Sequence, residues 1–454
     1  MRMTVHEIAA ACGGKLLCGD GAADVTGFVT DSRQAGPGLM FVPVVGEKVD
    51  AHRFIPQVVA AGAAASFTER EETVEGATLV YVEDTVAALQ KAAAAWRSRF
   101  SIPVVGITGS VGKTTTKEMV ALAVSAGKNV MKTLGNANSQ IGLPLTVCRL
   151  ASEHEAAVIE MGVSMPGEME RLCAVARPNF AVMTNIGISH IEFMKTQENI
   201  RAQKFHITDA FTPDSVLFLN QDDPLLRELK GTCPFQTVGF GLCEDADYRA
   251  EHLQSNGEGS TFLCVTPTGS LPVTVPAPGL HNVRNALAAI AVAQALGVSA
   301  QAAAKALETY APPAMRQQIH HVGEVTILDD TYNASPDSVN GALDILATLP
   351  AKRRIAVLAD MFELGERTHQ AHYEVGAHAA GCKIDAMIAI GEQAPSILEG
   401  YRQSGGIDGY AFNGNEAVLA FLKEHLRPDD AVLVKGSRGM KTDEIVQALL
   451  KDLA

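Results

Sequence analysis

The residues that invite a chemical reading first are in VVGITGSVGKTTTKE, Val104 to Glu118. A β-branched run, a glycine-rich turn and a helix opening at Lys113-Thr114 present backbone N–H groups to an anion. The positive end of the helix dipole reinforces them. Gly109, Ser110, Val111 and Gly112 would cradle phosphates, with Thr115 just inside the helix. Lys113 would supply a point charge, and the Thr114 hydroxyl is placed to hold Mg²⁺. One glycine is out of place. Where the usual phosphate-loop spelling puts its first Gly, this chain has Ile107, and the glycine stands one position earlier, at Gly106. A tight turn before an ordinary helix rarely yields Gly-Lys-Thr-Thr directly after VVGIT, so the stretch predicts an ATP or GTP site. The loop does not name a reaction, because kinases, motors, switches and ligases all need the same cradle.

Other candidates lie at the ends of predicted strands. Glu160 closes AAVIEMG, where open α/β sheets place their sites. It reads equally as a metal ligand or as a capping or surface carboxylate. His190 follows VMTNIGIS, and a lone His reads first as a hydrogen-bonded structural residue. Lys204, in RAQKFHI, reads as a helix-surface cation. Asn282 and Asn285 share one helix face, and helix capping near Gly279 would explain them without a ligand.

These residues need a scaffold of α/β type. At 454 residues the chain has room for about three domains. The first mixes short strands and helices up to TVAALQKAAAAWRSRF. From PVVGIT onward, β-branched or apolar runs alternate with helices, as in a parallel sheet. The stretch from Asp247 to Gly279 predicts antiparallel strands appended to that sheet, and a helix from His281 closes the unit. TYAPPAMRQQ carries a Pro-Pro pair and predicts a hinge near 311–315. VTILDDTYN, RIAVLAD, AMIAIG and AVLVKGS then predict a second, Rossmann-like α/β sheet. The expected boundaries are 1–99, 100–312 and 313–454.

Bulk properties exclude some classes. A net charge of -14 argues against a nucleic-acid binder, which needs basic surface. The eight cysteines form no Cys-x-x-Cys pair and read as reduced core residues. The start has no long apolar stretch of the signal-peptide kind. NALAAIAVAQALGV, interrupted by Gln294, is too short to span a bilayer. A cytoplasmic protein without membrane insertion is expected.

GITGSVGKTTTKE resembles the loop of the Mur ligase family, ATP-dependent amide-bond-forming enzymes of peptidoglycan synthesis. The resemblance extends in order along essentially the whole chain. GNANSQIGLPLT, VIEMG, TNIGISHIE, RAQKFHI and GLHNVRNALAAIAVA follow the loop, and DDTYNASPDSVNGAL, AVLADMFELG and VLVKGSRGMKTDEIVQAL stand in the third unit. TDSRQAGPGLMFVPVVGEKVDAHRF resembles the family's UDP-binding module. The resemblance implies a small α/β UDP-binding domain, a central ATP-binding domain and a C-terminal domain that closes on ATP and binds the incoming amine. Within the family it points to members that add D-alanyl-D-alanine to UDP-N-acetylmuramoyl-tripeptide through an acyl phosphate.

The roles it implies are specific. Thr114 and Glu160 would hold one Mg²⁺. His190 and a CO₂-carbamylated Lys204 would hold a second. Asn282 and Asn285 would read adenine. Arg316 would reach the phosphates on closure, and Asp330 and Tyr332 would line the nucleotide from the same side. Lys435 and Arg438 would meet the acyl phosphate or substrate carboxylates, and Asp31, Ser32 and Arg33 would face the UDP part. Asn138-Ser139, which would contact substrate, stands where the family has paired asparagines, and Ser335 where Asn is common. Both changes keep small polar side chains, so activity is expected to survive. The chain lacks the Asp-Asn-Pro-Arg motif of the diaminopimelate-adding enzymes and the Asp-Gly-Ala-His-Asn-Pro motif of folate-polyglutamylating ligases. A catalytically silent nucleotide binder has no need of a second metal site, and a P-loop kinase fits poorly with three units and two sheets.

Overall fold

The computed structural model describes residues 1–453. They form four sheets. At the centre is the strand Val104–Thr108, buried along its whole length, as a parallel strand covered on both faces must be. It pairs in parallel with Ala156–Glu160 on one side and Phe180–Met183 on the other. The chain fills the first side, out to Val130–Lys132, before crossing to the second. There it adds Val216–Asn220 and Gln236–Gly241. This reversal of direction opens a crevice at the C-terminal ends of the strands around Val104–Thr108. Tyr248–Ser255, Ser260–Thr266 and Gly269–Val275 complete a nine-stranded sheet, paired antiparallel with one another as expected.

The alanine-rich run is the helix Leu280–Ala295, buried on nearly every face from Asn282 to Ala293. It packs against Lys113–Ser125, the helix that follows the phosphate loop. Small side chains let the two backbones approach, which carries the later part of the chain up to that loop. This helix does not close the unit alone. A second one, Ala300–Leu307, capped by Ser299, follows it.

In the first unit, Gly27–Val29, Leu39–Phe41, Ala65–Thr68 and Leu79–Tyr81 pair in parallel, with Lys15–Cys18 as an antiparallel edge. The helix Thr85–Arg97, N-capped by Asp84, packs on Gly142–Val147 and Glu168–Ala176 of the central unit. One continuous core results, with Ile8, Phe67 and Leu89 in the same cluster as Leu143, Leu172 and Met183.

The third unit is built differently. Its sheet runs Gln318–Val322, Val325–Asp329, Asp430–Lys435, Arg353–Ala359, Ala386–Ile390 and Asp408–Phe412, all parallel except the first. It has a core cluster on each face, and Ile188 is the central-unit side chain packed against one of them. The connecting segment 311–317 has no regular secondary structure. A unit with its own core and a thin connection moves most readily relative to the rest. No helix among the described residues is long and apolar enough to cross a membrane.

Candidate active site

The phosphate loop leaves Thr108 and turns through Gly109 at φ +150° and Gly112 at φ +80°. A Cβ on Gly109 would lie 1.9 Å from Thr184 Oγ1, so no other residue fits there. The loop is braced by the end of the neighbouring strand. Ser110 N donates to Asn185 O (3.0 Å) and Val111 N to Asn185 Oδ1 (2.9 Å). Thr184 Oγ1 donates to Val111 O (2.6 Å), and Gly187 N to Ser110 Oγ (2.9 Å). Sequence reasoning passed over Thr184 and Asn185, although they follow the strand run FAVM directly. The displaced Gly106 has a separate explanation. It lies inside the strand, where a Cβ would sit 3.0 Å from Ile207 Cδ1 and from Met161 Sδ. Packing under the sheet, not phosphate, calls for that glycine.

Lys113 opens the helix and folds back on the loop. Its Nζ donates to Gly109 O (2.8 Å) and Ser110 O (3.1 Å). Burial pushes its ammonium pKa down; Glu160 opposes the shift and Arg316 adds to it. The structure therefore brings Lys113, Glu160 and the third unit's Arg316 into one electrostatic neighbourhood.

Glu160 is almost completely buried. Its Oε1 accepts from Thr114 Oγ1 (3.1 Å) and Asn138 Nδ2 (2.6 Å), and its backbone N–H donates to Thr133 Oγ1 (3.0 Å). Its Oε2 is buried and has no hydrogen-bond partner. A buried carboxylate oxygen without a partner is costly. An orphan oxygen beside a threonine hydroxyl is the donor set a hard divalent cation takes, so the residues present fit Mg²⁺. Asn138 therefore orients Glu160, while Ser139 beside it is exposed.

Lys204 departs from the surface cation that its local sequence suggests. It sits in the helix Gln197–Phe205 and is among the largest fully buried side chains. Burial first, and Lys113 second, push its ammonium well below the ordinary lysine pKa, and no carboxylate or hydrogen bond offsets them. His190, at φ +61°, pairs through Nδ1 with Glu363 of the third unit. Glu192 N donates to Glu363 O (3.2 Å) at the same crossing.

Asn282 and Asn285 are both buried at the start of the long helix. Asn282 Nδ2 donates to Pro278 O (2.8 Å), just ahead of the helix, and lies 3.3 Å from Gln317 Oε1; the helix start at Gly279 has no side-chain cap. Asn285 Oδ1 accepts from Thr116 Oγ1 (2.9 Å), bracing the helix behind the loop. His281 Nε2 and Gln317 Oε1, 2.8 Å apart, tie this helix to the connecting segment. Neither His281 nor Gln317 stood out in the sequence.

On the third unit, the Arg316 guanidinium stacks 3.8 Å from the centre of the Tyr332 ring. Lys435 is spent on structure. Its Nζ donates to Asp330 Oδ2 (2.5 Å) and Asn333 O (2.9 Å), with both side chains buried. The pair Asp330–Lys435 thus joins two adjacent strand ends rather than presenting a free cation to substrate. Removing one partner of a buried pair strands the other charge. Lys435→Ala should therefore cost about 3–5 kcal/mol of the third unit's stability, read as an earlier denaturant midpoint. Arg438 pairs with Asp443 (3.1 Å) and stays half exposed. On the first unit, Asp31 caps the turn Ser32–Gln34 and grips Arg33 in a two-point contact. That contact holds the Asp31 carboxyl down to about 2.

Three family models match the chain: "Mur ligase family, catalytic domain" over 24–103, "Mur ligase middle domain" over 107–293 and "Mur ligase, glutamate ligase domain" over 315–438. A UDP-N-acetylmuramoyl-tripeptide–D-alanyl-D-alanine ligase of Bacillus subtilis is 36% identical, covering 94% of this chain and 93% of its own. The crystal structure of MurF from Acinetobacter baumannii superposes with a TM-score of 0.93 at 30% identity, over 99% of both chains. That of the MurF ligase from Thermotoga maritima in complex with ADP gives 0.85 at 29%, over 94% and 97%.

Proposed function

The chain belongs to the Mur ligase family, and from that premise we propose that it is the ATP-dependent ligase joining D-alanyl-D-alanine to UDP-N-acetylmuramoyl-tripeptide. The product would be the UDP-linked pentapeptide precursor of peptidoglycan, made in the cytoplasm. The observation that carries the reading is the buried Thr114, Glu160 and Lys204 at the sheet crevice beside the partly buried Lys113, with Arg316 brought to them from the third unit. A nucleotide-binding scaffold has no use for a second, buried lysine and an orphan carboxylate oxygen around one phosphate loop.

The chemistry divides into two transfers. The terminal carboxylate of the tripeptide attacks the γ-phosphorus of ATP, and ADP leaves. The loop N–H groups hold the phosphate chain in line, and Lys113 faces the charge that accumulates on the transferred group, where phosphoryl transfer gains most. The amine of the dipeptide then attacks the acyl carbon. Phosphate leaves, the amine gives up a proton, and an amide forms. Thr114 and Glu160 would hold one Mg²⁺, which when bound neutralises phosphate charge. A second would fall to His190 and Lys204. Lys204 suits this role as a carbamate: its nitrogen adds to CO₂, loses a proton, and becomes an anion with oxygen donors. Closure of the third unit about 311–317 would exclude the water that destroys an acyl phosphate. In this reading 1–99 binds the UDP part, 100–312 the ATP and 313–454 the incoming dipeptide.

Phosphate release from ATP tests the proposal. We expect release to require both UDP-N-acetylmuramoyl-tripeptide and D-alanyl-D-alanine. Release supported by a single amino acid in place of the dipeptide would move the chain to another activity of the family.

A further inference from the structure

Away from the crevice, three side chains of different chemistry converge between two helices of the third unit. Asp344 comes from the helix Pro336–Thr348. His378 lies in the helix Thr368–Gly381, and Cys382 caps its end. The His378 Nε2 lies 2.8 Å from Asp344 Oδ1, and the Cys382 Sγ lies 3.5 Å from the same oxygen. One donor atom from each residue falls within 4.8 Å of the other two. We infer that this cluster is a binding site for a thiophilic divalent cation of the zinc class, held by Asp344 Oδ1, His378 Nε2 and Cys382 Sγ.

The geometry supports this in three ways. His378 and Cys382 stand four residues apart along one helix and its C-cap, the spacing that puts both on one face. Zinc takes nitrogen, sulfur and oxygen at roughly 2.0–2.3 Å in a tetrahedron, which sets its ligand atoms roughly 3.3–3.7 Å apart. The distances here, 2.8 Å and 3.5 Å, need only a small opening. Asp344 and His378 have side-chain exposures of 60% and 36%, which leaves a fourth position open to water. A plain surface ion pair would account for His378 and Asp344, but such a pair contributes little and does not require a thiol aimed at the same oxygen. Mg²⁺ prefers an all-oxygen shell, so this site and the Glu160 site would not compete for one metal. A cation here would pin the two helices together, and the first of them begins beside the crevice. There the Asp337 Oδ2 is 1.9 Å from where a Cβ on Gly187 would stand.

The full chain, with Mg²⁺ in excess to occupy the Glu160 site, is titrated with Zn²⁺ by calorimetry and with Co²⁺ by absorption. We expect about one Zn²⁺ per chain and a thiolate-to-cobalt charge-transfer band. Cys382→Ser should abolish the band, and His378→Gln should weaken Zn²⁺ binding by about tenfold or more. Thermal unfolding of the metal-free variants checks that they fold. An absent band in the parent chain, or a band that survives Cys382→Ser, overturns the site.

Discussion

Replacing Lys113 with Ala should lower the turnover number for phosphate release by about a thousandfold, close to 4 kcal/mol of transition-state stabilisation. The size follows from where the charge sits. Lys113 is partly buried against the loop, where desolvation already pushes its ammonium pKa down, and its partners are Gly109 O and Ser110 O. A preorganised charge in a water-excluded site acts at low dielectric and reorganises little when the γ-phosphate becomes more anionic. Lys113→Arg should not rescue the rate, because a planar fork cannot occupy the position of a compact ammonium. The fold should survive, since the side chain's partners are two loop carbonyls rather than a buried carboxylate. Steady-state phosphate release, with thermal unfolding as the control, measures both. A loss of less than tenfold would mean that Lys113 does not face the transferred phosphate.

Lys204→Met should act in two directions at once. Turnover should fall by about a hundredfold or more, as when a group that stabilises developing charge is removed. The unmodified, ligand-free protein should become more stable, because a buried ammonium with no offsetting anion is replaced by an apolar chain of similar length. Each kcal/mol regained would raise the melting temperature by about 2–4 °C. The pH dependence follows from the depressed pKa. Between the folded value and the ordinary 10.5, the unfolded chain binds the extra proton, so stability of the parent rises with pH. The advantage of Lys204→Met is therefore greatest below the folded pKa and closes as the pH climbs through that window. Thermal unfolding in CO₂-free buffer across alkaline pH reads this directly. Intact-mass measurement after equilibration with bicarbonate reads the carbamate. A variant less stable than the parent at every pH would show that Lys204 has a partner in solution, and no mass increase would remove the carbamate from the mechanism.

How much of the site was legible depended on the range of the contacts involved. The phosphate loop was readable because its determinants are local: a β-branched strand, glycines at positive φ and a helix start lie within a dozen or so residues. The alternation of strands and helices, the antiparallel extension and the Pro-Pro connection were readable for the same reason. Asn138 stood out as an implied substrate contact, and its hydrogen bond to Glu160 was not legible. The pattern around it records a small polar residue and nothing about which strand end faces it.

Chain order and local chemistry determined where strands turn into helices, which turn holds an anion, and which units follow one another. Hydrophobic period and glycine conformation are properties of a few adjacent residues, and these suffice. Tertiary structure alone decided partnership. Lys435 meets Asp330 across 105 residues of chain, and His190 meets Glu363 across 173. Lys204 is a buried side chain rather than a surface cation, close enough to Lys113 to feel its charge. Such pairings come from the order in which strands enter a sheet and from the helices that cover it. No local pattern encodes that order, so the same lysine, histidine or asparagine reads alike in sequence whether it is solvated, structural or catalytic.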